Sequence, residues 1–103
     1  MKARIDIPNK GVSEFCHRWK VTELALFGSV LSEDFGPDSD VDVLVRFAPK
    51  SRRTLFDMVR MKTELAGLFG RDIDLVSRRA IEKSRNYLRK KAILQSAEVV
   101  YGS

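Results

Sequence analysis

Leu26-Phe27-Gly28-Ser29 and, ten residues further on, Asp40-Val41-Asp42 form the stretch that decides the fold of this 103-residue sequence. The first segment is an apolar run that stops at Gly-Ser, where a glycine lets backbone N–H groups approach a phosphate closely. The second segment places carboxylates at i and i+2, which point to one face of an extended strand. Asp40 and Asp42 are therefore predicted to reach one or two hard cations. The stretch indicates metal-assisted chemistry on a nucleotide.

Three short apolar segments predict strands. Leu24–Phe27 is continuously apolar, which is typical of a strand that is covered on both faces. Asp72–Val76 reads as a third strand in which Asp72 and Asp74 point the same way, so a further carboxylate stands on the sheet. Apolar and polar residues alternate around 41–47, which predicts Val41, Val43, Val45 and Phe47 on one face and Asp40, Asp42, Leu44 and Arg46 on the other.

Two helices are predicted from apolar residues at three- and four-residue spacing. The first runs from about Asn9, which is expected to cap it, to about Lys20. The second begins after Thr54, whose capping partner is Asp57, and ends at the stop signal Gly70.

A last helix is predicted over about 84–101, after a turn that Ser77 caps. Its basic outer surface is formed by Arg85, Arg89, Lys90 and Lys91. The alternation of helices and strands favours an α/β (α+β) fold with a small mixed three-stranded sheet and helices packed on it. The inner side of the last helix is predicted to carry Tyr87, Leu94, Ala97 and Tyr101.

Length and composition set further limits. At 103 residues, of which 44% are hydrophobic and 32% charged, residues 1–103 are expected to form a single folded domain. No apolar stretch approaches the roughly 20 residues of a membrane span, and no signal peptide is evident, which favours a cytoplasmic location. The single cysteine, Cys16, forms no internal disulfide and is expected in the core, and His17 is expected to be exposed. The net charge of +5 does not distinguish nucleic acid, a nucleotide triphosphate and an acidic protein as partners.

Gly28-Ser29, the ten-residue spacer, Asp40-x-Asp42 and the later Asp74 together resemble the nucleotidyltransferase superfamily of the DNA polymerase β type. At this length the chain is most similar to its minimal nucleotidyltransferase (MNT) branch, and the resemblance covers nearly the whole chain. It implies the polymerase β-like fold. It further implies that Asp40 and Asp42 bind two Mg²⁺ ions, that Asp74 completes the site and helps to deprotonate an attacking hydroxyl, and that Gly28 and Ser29 hold the triphosphate of ATP. Asp72 shares a face with Asp74 and stays open as the third carboxylate.

The sequence departs from the family pattern at one place. Many members carry an Arg-Gly pair shortly after Gly-Ser, whereas Ser32 and Glu33 stand here. An arginine at that position would pair with the triphosphate, so its absence calls for another source of positive charge. The candidates are Arg46, Lys50, Arg52 and Arg53.

Small MNT proteins are typically encoded beside a HEPN-domain protein, and such a pair resembles a toxin–antitoxin system. The resemblance implies an ATP- and Mg²⁺-dependent adenylyltransferase that moves AMP onto a tyrosine of a HEPN toxin and acts as its antitoxin. Two alternatives stay open: a non-catalytic module that masks the toxin by contact, and nucleotidyl transfer to a small molecule such as an aminoglycoside. Direct nucleic-acid binding through 85–91 ranks lower because the strand pattern supplies no stacking aromatics. The last helix allows a homo- or hetero-oligomer.

Overall fold

The computed structural model describes residues 7–31, 36, 39–51 and 53–102. The strands are β1 (Val21–Phe27), β2 (Val41–Phe47), β3 (Ile73–Ser77) and β4 (Glu98–Gly102). The helices are α1 (Asn9–Trp19), α2 (Leu55–Phe69), α3 (Arg78–Glu82) and α4 (Tyr87–Ser96), and a 3₁₀ turn follows β1 at Gly28–Leu31.

The strands form one mixed sheet in the order β3-β2-β1-β4. β1 pairs antiparallel with both β2 and β4, and β2 pairs parallel with β3. The mixed α+β architecture that we predicted is confirmed, but the sheet has four strands rather than three. The additional strand is β4.

The C-terminal segment was predicted wrongly as helix up to Tyr101. The chain leaves the helix at Ala97, whose φ of −60° and ψ of 133° are extended, and 98–102 pairs with β1. Val99-Val100-Tyr101 is rich in the β-branched and aromatic residues that strands favour, and the free edge of β1 supplies the partner. Tyr87, which we predicted on an inner face, is 67% exposed. α4 begins after Asn86, whose side chain accepts a hydrogen bond from the N–H of Arg89.

Helices cover both faces of the sheet, and each face has its own core. Alternation along the strands decides which side chain joins which core. The second, smaller core contains Ala25, Phe27, Leu44, Ile81 and Ile93. The first core joins α1 and α2 to the sheet and includes Val12, Phe15, Cys16, Leu24, Leu26, Val41, Val43, Val45, Met61, Leu65 and Ile73. The strand 24–27 is thus covered on both faces, as predicted.

The ends of α2 are as the sequence predicts. Thr54 and Asp57 form a reciprocal capping box, and Gly70 ends the helix with a left-handed φ of +67°. The cap of α1 was predicted wrongly: the helix begins at Asn9 itself, Pro8 occupies the capping position, and no side chain caps it. The third strand begins one residue later than predicted, and Ser77 then caps α3 through the N–H of Ala80.

Two side chains of α1 hold it against α2. The indole N–H of Trp19 donates to Glu64 at 2.9 Å, and Arg18 pairs with the same carboxylate at 3.0 Å. Cys16 is buried and His17 exposed, as predicted. Within the described ranges, no helix is both long and apolar enough to cross a membrane.

Candidate active site

Two of the predicted carboxylates lie side by side on neighbouring strands. Asp42 in β2 is the register partner of Asp74 in β3, and on its other side it is the partner of Phe27 in β1. Phe27 belongs to the second core, so both carboxylates stand on that face of the sheet. Neighbouring strands are about 4.8 Å apart, and carboxylates on such a pair repel each other unless a cation lies between them.

Gly28 lies directly against the carboxylate of Asp42. A Cβ built on Gly28 would stand 2.1 Å from Oδ2 of Asp42, and the glycine has a left-handed φ of +76°. A side chain is therefore excluded here both by the backbone conformation and by the carboxylate. The Gly-Ser turn and the Asp-x-Asp segment thus meet at one end of the sheet, as the sequence predicted.

The other acidic side chains at this end are more open to solvent. Asp40 precedes β2 and is exposed, Asp42 is half-buried, and Asp74 is exposed. The carbonyl of Asp72 accepts a hydrogen bond from the N–H of Val41 at 2.9 Å, which fixes where β2 and β3 begin to pair. Asp72 therefore lies at the rim of the site, one residue outside β3.

Arg71 holds the loop that leads into Asp40, a role that the sequence did not indicate. Its Nη1 donates to the carbonyl of Gly36 at 2.8 Å and to that of Ser39 at 3.3 Å. The same loop is closed by a hydrogen bond from the N–H of Gly36 to the hydroxyl of Ser39, at 3.0 Å. The only sequence signal is an arginine directly before the acidic strand, which does not reveal carbonyl partners 32 to 35 residues away.

The donors at this site are those of a hard cation. All three predicted ligands are carboxylates, the oxygen donors that Mg²⁺ prefers. In the part of the chain that the structure describes, no three or more His, Cys, Asp or Glu side chains stand as a group that could hold a metal. The fit to Mg²⁺ therefore rests on donor chemistry and on the pairing of Asp42 with Asp74.

The basic residues that we named as other sources of positive charge lie toward the opposite end of β2. Arg46, Lys50 and Arg53 come at or after the far end of β2. Arg46 is four residues along the strand from Asp42, or about 13 Å at 3.3 Å per residue. Lys50 and Arg53 lie beyond the end of β2, and Arg46 lies near its end. A role for these three residues beside the nucleotide stays a prediction. Arg52, Ser32 and Glu33 are outside the described residues.

Comparisons with known proteins relate the chain to one family model, one curated relative and several solved structures. The nucleotidyltransferase domain family matches residues 9–100. A candidate protein adenylyltransferase of Methanocaldococcus jannaschii is 33% identical over 61 residues, which are 59% of this chain. The match spans 63% of that protein's length, slightly less than two thirds.

Solved structures show the same fold. The structure of a candidate minimal nucleotidyltransferase is 34% identical, with a TM-score of 0.65 over 86% of this chain and 85% of that chain. A chain from the Shewanella oneidensis complex of MNT antitoxin with tri-AMPylated HEPN toxin is 18% identical, with a TM-score of 0.62 over 92% of this chain and 70% of that chain. The polymerase β-like fold that the sequence suggested is confirmed.

Proposed function

This chain belongs to the nucleotidyltransferase domain family, and on that premise we propose that it transfers AMP from ATP to a hydroxyl group of a partner protein. The observation that carries the proposal is the register pairing of Asp42 with Asp74 beside Gly28. This arrangement places two carboxylates at one end of the sheet, beside the turn at Gly28, which has no side chain. We place the reaction there.

Asp40, Asp42 and Asp74 are the proposed Mg²⁺ ligands. When bound, the two ions neutralise the triphosphate and polarise the α-phosphorus. Gly28 leaves room for the Asp42 carboxylate, and Gly28 with Ser29 is proposed to hold the phosphates. The acceptor oxygen forms a bond to the α-phosphorus, the bond to the pyrophosphate oxygen breaks, and Asp74 takes the proton of the acceptor hydroxyl.

The proposed partner is a HEPN-domain toxin, with a tyrosine as the acceptor, so that the chain acts as an antitoxin. Support comes from the Shewanella oneidensis complex, in which an MNT antitoxin is bound to a tri-AMPylated HEPN toxin. The similarity to a candidate protein adenylyltransferase points to the same reaction class. Both similarities are to other proteins, so the partner and the acceptor need their own test.

The test is the intact mass of a HEPN protein encoded beside this chain. Incubation with the chain, ATP and Mg²⁺ is expected to add one AMP or a multiple of it, and the added mass should map to a tyrosine. Asp42→Asn should abolish the addition. Glu14→Gln, which removes one carboxylate from an exposed position of α1, should leave it intact. An unchanged mass with the parent chain contradicts the proposal.

One observation favours masking by contact as a second candidate function. Leu55, Phe56 and Val59 in the first turns of α2 are 81%, 82% and 56% exposed. Large apolar side chains exposed together are typical of a protein–protein contact. If Asp42→Asn still neutralised the toxin fully and Phe56→Ser abolished that protection, the chain would mask its partner without chemistry.

A further inference from the structure

A cleft of about 540 Å³ opens at the end of the sheet opposite the carboxylates. β2 and β3 are parallel, and the cleft lies where they end, at Phe47 and Ser77. Its volume falls in the range of roughly 300 to 1,000 Å³ that small-molecule sites occupy. The lining residues are Phe47, Ser51, Arg53, Met58, Ser77 and Arg79.

A smaller recess of about 300 Å³ adjoins the cleft. The two share four lining residues. The recess adds three cations, Arg46, Lys50 and Arg78, and one carboxylate, Glu82, to the charged rim. Together they form the basic cleft, which is lined by apolar side chains, two serine hydroxyls and mostly cationic charged groups. The shared residues are Phe47, Ser51, Ser77 and Arg79.

Most of the positive charge on this rim is not neutralised by the protein. Among the described residues, the side chains of Arg46, Lys50 and Arg79 make no hydrogen bond or ion pair. Arg78 differs, because it pairs with Glu23 at 3.2 Å and with Glu82 at 4.0 Å. Several cations left without carboxylates suit a ligand with more than one negative charge.

A further cation is held rigidly in the cleft wall. Arg53 donates from Nε to the carbonyl of Trp19 at 3.2 Å and also from its terminal nitrogen. Its guanidinium lies over the rings of Phe47 and Trp19, at 5.5 and 5.7 Å from their centroids. A guanidinium that is fixed before binding loses little conformational freedom when a ligand arrives.

A loop that lines the basic cleft adopts an unusual backbone conformation. Lys50 has a φ of +67°, which residues other than glycine and asparagine rarely adopt. The turn is closed by the N–H of Ser51, which donates to the carbonyl of Ala48 at 3.1 Å. The N–H of Ala48 donates to the carbonyl of Lys20, the residue between α1 and β1, at 2.9 Å. Lys50, with its left-handed backbone, thus lies in a hydrogen-bonded turn beside the cleft.

We propose that the basic cleft binds the phosphate groups of a small-molecule ligand, at a site separate from the carboxylate end. Arginine forks match phosphate oxygens in charge and geometry, and Arg79 is the main contact because its guanidinium is exposed on the cleft wall. A monocarboxylate ligand would neutralise only one of the available cations. The inference does not depend on the proposed AMP transfer.

The test is a titration of isotopically labelled protein with inorganic pyrophosphate, followed by the amide resonances. EDTA is present throughout, because without divalent cations the carboxylate end repels the probe. Saturable shifts are expected at Phe47, Ser51, Ser77 and Arg79. Arg79→Ala should weaken binding about tenfold, the effect of removing a charge-assisted contact. Arg89→Ala removes an exposed positive charge from α4, which does not line the cleft, and should bind like the parent.

Three results would overturn the inference. The first is the absence of saturable shifts at the cleft residues. The second is that shifts appear only at Gly28, Asp42 and Asp74. The third is equal binding by the Arg79→Ala and Arg89→Ala variants, which would indicate attraction to overall charge rather than a site.

Discussion

The two ends of the sheet have opposite chemistry, although β2 runs through both. At the start of β2 and β3 stand Asp40, Asp42 and Asp74, with Gly28 against Asp42. At their end lies the basic cleft, with Arg79 on its wall. Between the two ends, the side chains that β2 and β3 direct toward α1 and α2 belong to the first core or pack against it.

β2 thus separates an end of the sheet that needs a divalent cation to bind phosphate from an end that does not. The acidic end repels a phosphate unless a divalent cation joins them, whereas the basic end attracts phosphate without a metal. Divalent ions, or their removal, should therefore act on the two ends in opposite ways.

Removing a carboxylate from the strand should have the largest effect. Asp74→Asn is expected to lower AMP transfer on the order of a thousandfold, because it removes both a metal ligand and a proton acceptor. Asp72→Asn should cost less than tenfold, because Asp72 lies at the rim and its backbone alone supports β3. Initial rates of AMP incorporation measure both variants. The reverse order would reassign the third carboxylate to Asp72.

The two left-handed glycines give a matched pair. Gly28→Ala and Gly70→Ala share the backbone cost of a positive φ, roughly 1–2 kcal/mol in the free energy of unfolding. Only Gly28 has a carboxylate where the Cβ would go, since nothing lies within 4 Å at Gly70. Gly28→Ala should therefore also lower AMP transfer about a hundredfold by displacing Asp42. Denaturation curves and transfer rates separate the two costs, and equal transfer rates would show that Asp42 needs no such space.

Arg71→Ala should loosen the loop that leads into Asp40. The loss of its hydrogen bonds to Gly36 and Ser39 is expected to lower transfer about tenfold, or about 1.4 kcal/mol. Arg18→Ala is the control, because Arg18 makes an exposed ion pair with Glu64 on α2 and should leave transfer unchanged. Transfer rates over a range of ATP concentrations measure the effect. Equal rates for both variants would mean that Arg71 does not position the site.

The contribution of the first core to the free energy of unfolding should depend on pH, independently of both ends of the sheet. Burial raises the pKa of the Cys16 thiol from 9.0 to about 12. The unfolded chain loses this proton at lower pH than the folded one, so the free energy of unfolding falls as the pH rises from about 9 toward 12. The contribution is at most about 1.4 kcal/mol per pH unit. Denaturation of the parent and of Cys16→Ala at about pH 8 and pH 10 measures it, and equal losses in both would contradict this origin.

The acidic end was predictable because its signals are local. Alternation in 41–47 fixes the faces of Asp42 and Leu44, and the Gly-Ser turn ends a strand that both cores cover. β4 was not predictable in this way, because its pairing with β1 joins residues more than 70 positions apart. The sequence likewise did not predict that the basic side chains near the end of β2 line a cleft together with residues that follow β3. That depends on the parallel pairing with β3 and on the loop after Phe47.

The central claim is that the nucleotide and its metal bind at the carboxylate end, and paramagnetic broadening tests it most directly. Mn²⁺ added with a non-hydrolysable ATP analogue should broaden the amide resonances of Gly28, Asp42 and Asp74. The Asp42→Asn variant should lose that broadening. Broadening confined to Phe47, Ser77 and Arg79, or unchanged in the variant, would contradict the claim.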